Sequence, residues 1–149
     1  MIFAAGLGTR LKPLTDSMPK ALVPINGKPL LEHVLLKLKQ EGFTDIIINV
    51  HHFADQIIQF LAQNQHFGLN IAISDETQQL LETGGGIKKA SWFFGNEPFL
   101  IHNVDILSNL PLAELVRFHT NKPNAAATLV VSKRTTTRYL LFDNDMQMK

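Results

Sequence analysis

The chain has 149 residues, 45% hydrophobic and 18% charged, the proportions of a soluble globular protein with one substantial core rather than a disordered one. Fourteen basic against thirteen acidic residues leave a net charge of +1, so bulk charge gives no support for binding to nucleic acid or an anionic membrane. With no cysteine, disulfides, a thiolate nucleophile and a cysteine-ligated zinc site are all excluded. No run approaches the roughly 20 apolar residues of a membrane span, and the first apolar run is too short for a secretory signal. A cytoplasmic location is the expectation.

The apolar run 1–5 reads as a short buried strand, ending in Gly6-Leu7-Gly8-Thr9-Arg10. Lys12 and Lys20 follow Arg10, so the loop combines approachable backbone N–H groups with fixed positive charge, as a phosphate requires. A turn at Asn26-Gly27-Lys28-Pro29 precedes an amphipathic helix over 30–41. Its apolar face is Leu31, Val34, Leu35 and Leu38, with Pro29 at its first position and Gly42 as C-cap. The β-branched run 45–50 predicts a strand covered on both faces. A helix over 53–64 follows, with Ile57, Ile58 and Leu61 on its apolar side, then a turn at 67–69 and a third strand over 70–74.

After the polar stretch 75–79 comes Leu81-Glu82-Thr83-Gly84-Gly85-Gly86, opening a short helix over 87–94. A fourth strand over 99–101 runs into His102-Asn103-Val104-Asp105. A helix over 112–119, a strand over 125–131 and a hairpin partner at 139–142 complete the pattern. Asp143-Asn144-Asp145 reads as a turn with no partner strand after it. Strands alternating with helices predict an α/β fold: three α/β/α layers around a Rossmann-like, mixed but mostly parallel sheet. One domain is expected over 1–149, incomplete at its C-terminus, because the chain stops just past a turn where another strand belongs.

Three stretches can carry chemistry. Gly6 and Gly8 fit the start of a dinucleotide fingerprint, but Leu11 stands where its third glycine belongs and Pro13 interrupts the helix that must follow. No Gly-Lys-Ser/Thr is present, which excludes a Walker loop. Ordinary strand-to-loop turns also carry Gly-x-Gly; the following Arg10, the proline-bearing loop and Pro19-Lys20 set this one apart. Three consecutive glycines cost about 1 kcal/mol each against alanine inside a helix. Residues 84–86 therefore read either as a flexible loop or as backbone laid against a flat ligand. Asp105 lies just past a strand's carboxyl end, where open α/β sheets bind ligands, and it equally suits a turn cap. His51 and His52 are adjacent on extended chain and point to opposite faces, while His33, His66 and His119 are isolated. Only His102, near Asp105, has a supporting role within reach.

Ala4-Ala5-Gly6-Leu7-Gly8-Thr9-Arg10-Leu11, then Pro19-Lys20-Ala21-Leu22-Val23-Pro24-Ile25 and Gly27-Lys28-Pro29-Leu30, resemble the signature of sugar-1-phosphate nucleotidyltransferases in order and spacing. The resemblance continues through the helix after Pro29, the stretch 81–86 and the stretch 103–105, covering most of the chain. Residues 81–87 are most similar to bacterial N-acetylmuramate-1-phosphate uridylyltransferases, and related glycine-rich versions occur in heptose- and mannose-1-phosphate guanylyltransferases. The resemblance implies attack of a sugar-1-phosphate oxygen on the α-phosphorus of a nucleoside triphosphate, UTP favoured, releasing pyrophosphate with Mg²⁺ as cofactor. It implies no nucleic-acid or membrane partner.

Ala5, Gly6, Gly8 and Thr9 would line the triphosphate, and Arg10 would hold the departing β and γ phosphates. Lys20 would sit near the α-phosphate and the incoming sugar phosphate. Glu82, Thr83 and Gly84 would lie against the base, Asn103 would touch nucleotide or sugar, and Asp105 would ligate Mg²⁺. Two departures stand out. Val104 occupies a position that is usually glycine, and no second metal-binding aspartate follows, since Asp143 and Asp145 read as turn residues. The expectation is a chain that binds nucleotide and turns over poorly, with a non-catalytic nucleotide-binding module as the competing reading.

Overall fold

The β-branched run at 45–50 forms one of the two inner strands of the main sheet. The computed structural model describes residues 1–132, 135, 137 and 139–148, in two compact units, Met1–Pro111 and a second beginning at Leu112. In the first unit the elements are β1 (Ile2–Phe3), β2 (Pro24–Ile25), β3 (Lys28–Pro29), α1 (Leu30–Gln40), β4 (Asp45–Val50), α2 (Ala54–Gln63), β5 (Asn70–Asp75), α3 (Glu82–Lys89) and β6 (His102–Asn103). The main sheet has the order β5-β4-β1-β6 and every pairing in it is parallel. Antiparallel pairing is confined to a separate hairpin of β2 and β3.

The sheet is covered on two faces. Met1, Phe3, Ile47 and Ala72 pack with Ile87, Ala90 and Phe93 of α3 and the turn after it. Alternation along the strands turns Ile2, Ile46, Ile48 and Val50 to the opposite side. Right-handed crossovers put α1 and α2 there, because β1→β4→β5 steps one way across the sheet and β5→β6 steps back. These helices bury Leu31, Leu35, Ile57 and Leu61 essentially completely. The three-layer expectation follows from this arrangement.

Several boundaries differ from the sequence-based expectation. The first strand pairs only over Ile2–Phe3, because Ala4 already gives its N–H to a side chain. Pro29 is not the first helical residue: it ends the β2–β3 hairpin, and α1 starts at Leu30. Ile58 faces outward and is 42% exposed, leaving Ile57 and Leu61 as the buried face of α2. α3 opens five residues earlier than expected, at Glu82, so the glycines lie inside the helix, and a 3₁₀ turn Ala90–Phe93 takes its last part.

The fourth strand is His102–Asn103 rather than 99–101. Phe99 is apolar because its ring stacks on Phe94 at 3.8 Å, nearly parallel, outside the sheet. The run lies beside the strand, with Phe99 and Ile101 still exposed.

In the second unit α4 spans Leu112–Thr120, as expected. Among the described residues 125–131 and 139–142 form no strand, and Leu129, Val130, Val131, Leu140 and Leu141 are exposed. An apolar run needs a sheet partner to become a strand. After the turn at 143–146 no strand follows among the described residues; one antiparallel bridge joins Phe142 to Met148, and Asp143 accepts the Asp145 and Gln147 N–H groups. Among the described residues no helix is long and apolar enough to cross a membrane.

Candidate active site

β1 lies between β4 and β6, so chain segments leaving its carboxyl end and that of β6 diverge at one edge of the sheet. Such a reversal of strand order opens a crevice where open α/β sheets bind ligands. Ala4 and Ala5 remain buried and Gly6 comes out into the open.

The two loop glycines differ in their reasons. Gly8 has φ +65°, and a Cβ there would lie 2.8 Å from Thr15 Cγ2 and 3.1 Å from Lys20 Cβ. Buried Thr15 also donates its hydroxyl to the Gly8 carbonyl at 2.9 Å. Gly8 is therefore demanded by the protein, in a left-handed turn packed on the segment that carries Lys20. At Gly6 no protein atom lies within 4 Å of a Cβ, so packing gives no reason for glycine there. Thr9 and Arg10 form an exposed 3₁₀ turn with Leu11. Among the described residues no carboxylate pairs with Arg10, whereas Lys12 is held by Asp16 at 3.2 Å.

Lys20 opens the turn Lys20–Leu22, anchored by fully buried Ala21. Its ammonium forms an ion pair with the Asp105 carboxylate, 85 residues away in sequence. Two sequence-predicted site residues from distant segments thus meet at the same edge. The Val104 N–H donates to the Phe3 carbonyl at 3.1 Å, tying the end of β6 to β1. Val104 is buried, which accounts for a β-branched residue there: it fills the interior while Asp105 emerges. Asn103 is exposed, and its carbonyl accepts the His102 Nδ1–H at 2.8 Å. Burial lowers the His102 pKa below its ordinary value, partly offset by that hydrogen bond.

The glycine triplet splits like the loop. Glu82, Thr83 and Gly84 are exposed at the start of α3, and nothing lies within 4 Å of a Gly84 Cβ. A Cβ on Gly85 would meet Leu81 Cβ at 2.9 Å. A Cβ on Gly86 would meet Glu76 Oε1 at 2.9 Å, Phe3 Cε1 at 3.2 Å and Asn49 Nδ2 at 3.3 Å. Gly86 lets the helix lie directly on the ends of β1 and β4.

Asn49 and Glu76 escaped the sequence reading, and both are buried, Glu76 completely. Ala4 N–H donates to Asn49 Oδ1 at 2.8 Å, Asn49 Nδ2 donates to Glu76 Oε1 at 2.9 Å, and Leu81 N–H donates to Glu76 Oε2 at 3.2 Å. The Glu76 carbonyl also accepts the His51 Nδ1–H at 2.6 Å. A legible signal for Asn49 was present: one amide inside the otherwise apolar, buried stretch 46–50 must find partners. Glu76 had no such signal, hidden in a polar stretch.

The residues present do not by themselves build a resident metal centre. Among the described residues no three His, Cys, Asp or Glu side chains stand together as ligands, and Asp105 is already compensated by Lys20. A hard cation prefers six or more oxygens, which one carboxylate cannot supply.

This geometry defines an open parallel α/β protein with a candidate ligand site at the carboxyl edge, framed by two glycine motifs and an ion-paired lysine. Residues 1–146 match the model of the family described as Nucleotidyl transferase, and the chain belongs to that family. It is 46% identical over 110 residues to the N-acetylmuramate alpha-1-phosphate uridylyltransferase of Neisseria meningitidis serogroup B, covering 74% of this chain and 48% of that protein. It is 38% identical over 136 residues to a mannose-1-phosphate guanyltransferase of Gibberella zeae, covering 89% of this chain and 37% of that one. Among solved structures it is similar to HddC from Yersinia pseudotuberculosis complexed with GMP-PN, with a TM-score of 0.71 and 32% identity over 78% of this chain and 52% of HddC. The chain spans about half or less of the length of these relatives.

Proposed function

We propose that the chain supplies the triphosphate-binding half of a sugar-1-phosphate nucleotidyltransferase, with UTP favoured. The observation that carries this reading is the meeting of Lys20 and Asp105 beside the open Gly6 face. In the reaction a sugar-1-phosphate oxygen bonds to the α-phosphorus of the nucleotide. The α–β anhydride bond breaks, and pyrophosphate leaves with the bonding electrons. Positioning and charge compensation do the catalysis, so no protein nucleophile is required.

In this reading Ala5, Gly6, Gly8 and Thr9 present backbone to the triphosphate. Arg10, exposed and without a carboxylate partner among the described residues, takes the β and γ phosphates. Lys20 exchanges Asp105 for the α-phosphate and the sugar phosphate. Glu82, Thr83 and Gly84 offer a flat surface to the base, and Asn103 lies within the same edge. Mg²⁺ would arrive as part of the nucleotide substrate, with the phosphates as its main ligands and Asp105 beside them. We read residues 1–149 as one functional domain, a reading supported by the family match over residues 1–146. A cytoplasmic location, with neither nucleic acid nor membrane as partner, belongs to the same reading.

Uridine is favoured by the similarity to the Neisseria uridylyltransferase, and guanylyl transfer is the alternative supported by the Gibberella relative and by HddC. Calorimetry with Mg·UTP and Mg·GTP, followed by pyrophosphate release with sugar-1-phosphates, tests the reading. Binding of Mg·UTP tighter than Mg·GTP is expected. Lys20→Ala and Asp105→Ala should each remove most turnover, measured in the longest chain that carries it; unchanged rates refute their roles. A second reading, a nucleotide-binding module without catalysis, is motivated by Val104, which stands before Asp105 where the resembled family usually carries glycine. Nucleotide binding with no pyrophosphate release from any pairing would establish it.

A further inference from the structure

We infer that Asn49 and Glu76 are positioning residues that lock the phosphate loop to the base-side helix, through a hydrogen-bond chain whose polarity requires an acid at one of the two positions. This rests on the proposed nucleotide site, since its two halves are the segments being joined.

The chain has a backbone N–H at each end. Ala4 N–H belongs to the segment entering the Gly6 loop, and Leu81 N–H belongs to the turn that opens α3. Both groups can only donate. A side-chain amide relays a hydrogen bond in one sense, accepting at oxygen and donating at nitrogen. Asn49 therefore takes Ala4 N–H at Oδ1 and offers Nδ2–H onward, so the next group meets a donor on each side. Only an acceptor on both oxygens closes the chain, and the Glu76 carboxylate does so. The Asn49 orientation is fixed by the same logic, because flipping it would turn Nδ2 toward Ala4 N–H.

The placement makes this more than core filling. Glu76 has no exposed surface and among the described residues no cationic partner, so its carboxylate depends on these donors. The same oxygen that takes Asn49 Nδ2 lies only 2.9 Å from where a Gly86 Cβ would be, so α3 is seated directly on the pair. Moving either side chain shifts the loop after β1 relative to the exposed stretch 82–84. A triphosphate and its base must span these two segments at once.

A polarity swap tests it in the full chain. In Glu76→Gln a donor faces the Asn49 or Leu81 donor whichever way the new amide turns. In Asn49→Asp two carboxylates face each other; only a bridging proton restores the pattern, so this variant is read at high pH, where the proton is lost. In the double variant Asn49→Asp/Glu76→Gln every donor again meets an acceptor. The carboxylate now at position 49 takes both Ala4 N–H and the side-chain amide N–H from position 76. The amide oxygen at position 76 takes Leu81 N–H. We expect each single variant to raise the Kd for Mg·UTP or Mg·GTP by about tenfold or more: the free chain relieves the mispaired group by shifting one segment, and binding must force it back at a cost like that of one unpaired buried donor or acceptor. The double variant should return within about threefold of wild type, well inside the loss from one unpaired group.

Single variants that lose thermal stability but keep nucleotide affinity overturn the inference, showing a purely structural pair. A double variant that folds and fails to recover affinity also overturns it, showing that the polarity of the pair does not set the site. Hydrogen exchange on the wild-type chain gives an arm independent of variant folding: nucleotide should slow exchange at 4–11 and 79–86 together. Protection of only one stretch overturns the coupling. A wild-type chain that binds neither nucleotide overturns the site reading itself, and the inference with it.

Discussion

Gly6 and Gly8 look equivalent in sequence and have opposite physical explanations. Gly8 sits at φ +65° against Thr15 and Lys20, so any side chain there meets both backbone strain and a clash. Left-handed backbone costs an L-residue about 1–2 kcal/mol before any clash. Gly6 faces open space, so alanine there has no protein atom to collide with. The two alanine variants should therefore separate stability from binding. Gly8→Ala should lower the melting temperature and weaken nucleotide binding together. Gly6→Ala should leave melting almost unchanged and weaken only binding. Differential scanning calorimetry beside nucleotide titration reads both, and a Gly6→Ala chain with wild-type affinity would remove Gly6 from the site.

At the scale of elements, apolar character did not by itself decide which segment joins the sheet. The run 99–101 is apolar beside the sheet, yet pairing falls to His102–Asn103, where the Met1 and Phe3 carbonyls accept the His102 and Val104 N–H groups. A histidine inside a sheet strand has a pH consequence. Burial holds the folded His102 pKa below its ordinary 6.5, so between the two values the unfolded chain binds more protons than the folded one. Stability then rises with pH across that window, is fully present above about 6.5, and falls as pH drops through the folded value. Melting temperatures between pH 8 and pH 5 should show this decline, and His102→Asn should flatten part of it. A slope unchanged by the substitution would assign the titration elsewhere. The glycine-bearing start of α3 teaches a related lesson: three glycines lowered its helix propensity, and tertiary contact of Gly86 with Phe3, Asn49 and Glu76 overrode that.

For the molecule as a whole, a nucleotide that binds only the folded chain stabilises it by mass action. At one hundred times the Kd the gain is about 2.7 kcal/mol, which for a chain of this size is a rise of several degrees in melting temperature. Mg·UTP should produce that shift, Mg·GTP a smaller one, and a nicotinamide dinucleotide none; equal shifts from all three would deny the site its selectivity. The alternating pattern, the helix faces of α1 and α2 and the strand at Asp45–Val50 were legible in sequence, because 3.6- and 2-residue periods and β-branched runs report local burial directly. So was the family-like spacing from Gly6 through Lys20 to Asp105. The apolar runs 125–131 and 139–142 misled, since a run has no strand without an edge to join.

By itself, then, the sequence determined which residues carry charge, which lack a side chain and which segments must be buried. Tertiary structure alone decided that Lys20 meets Asp105 across 85 residues, that Gly8 and Gly86 serve packing while Gly6 and Gly84 face open space, and that Asn49 and Glu76 tie the two glycine motifs together. The physical reason is that these facts belong to pairs: a hydrogen bond's partner and a missing Cβ's neighbour come from segments far apart in the chain. Only the order of strands in the sheet brings them to one edge.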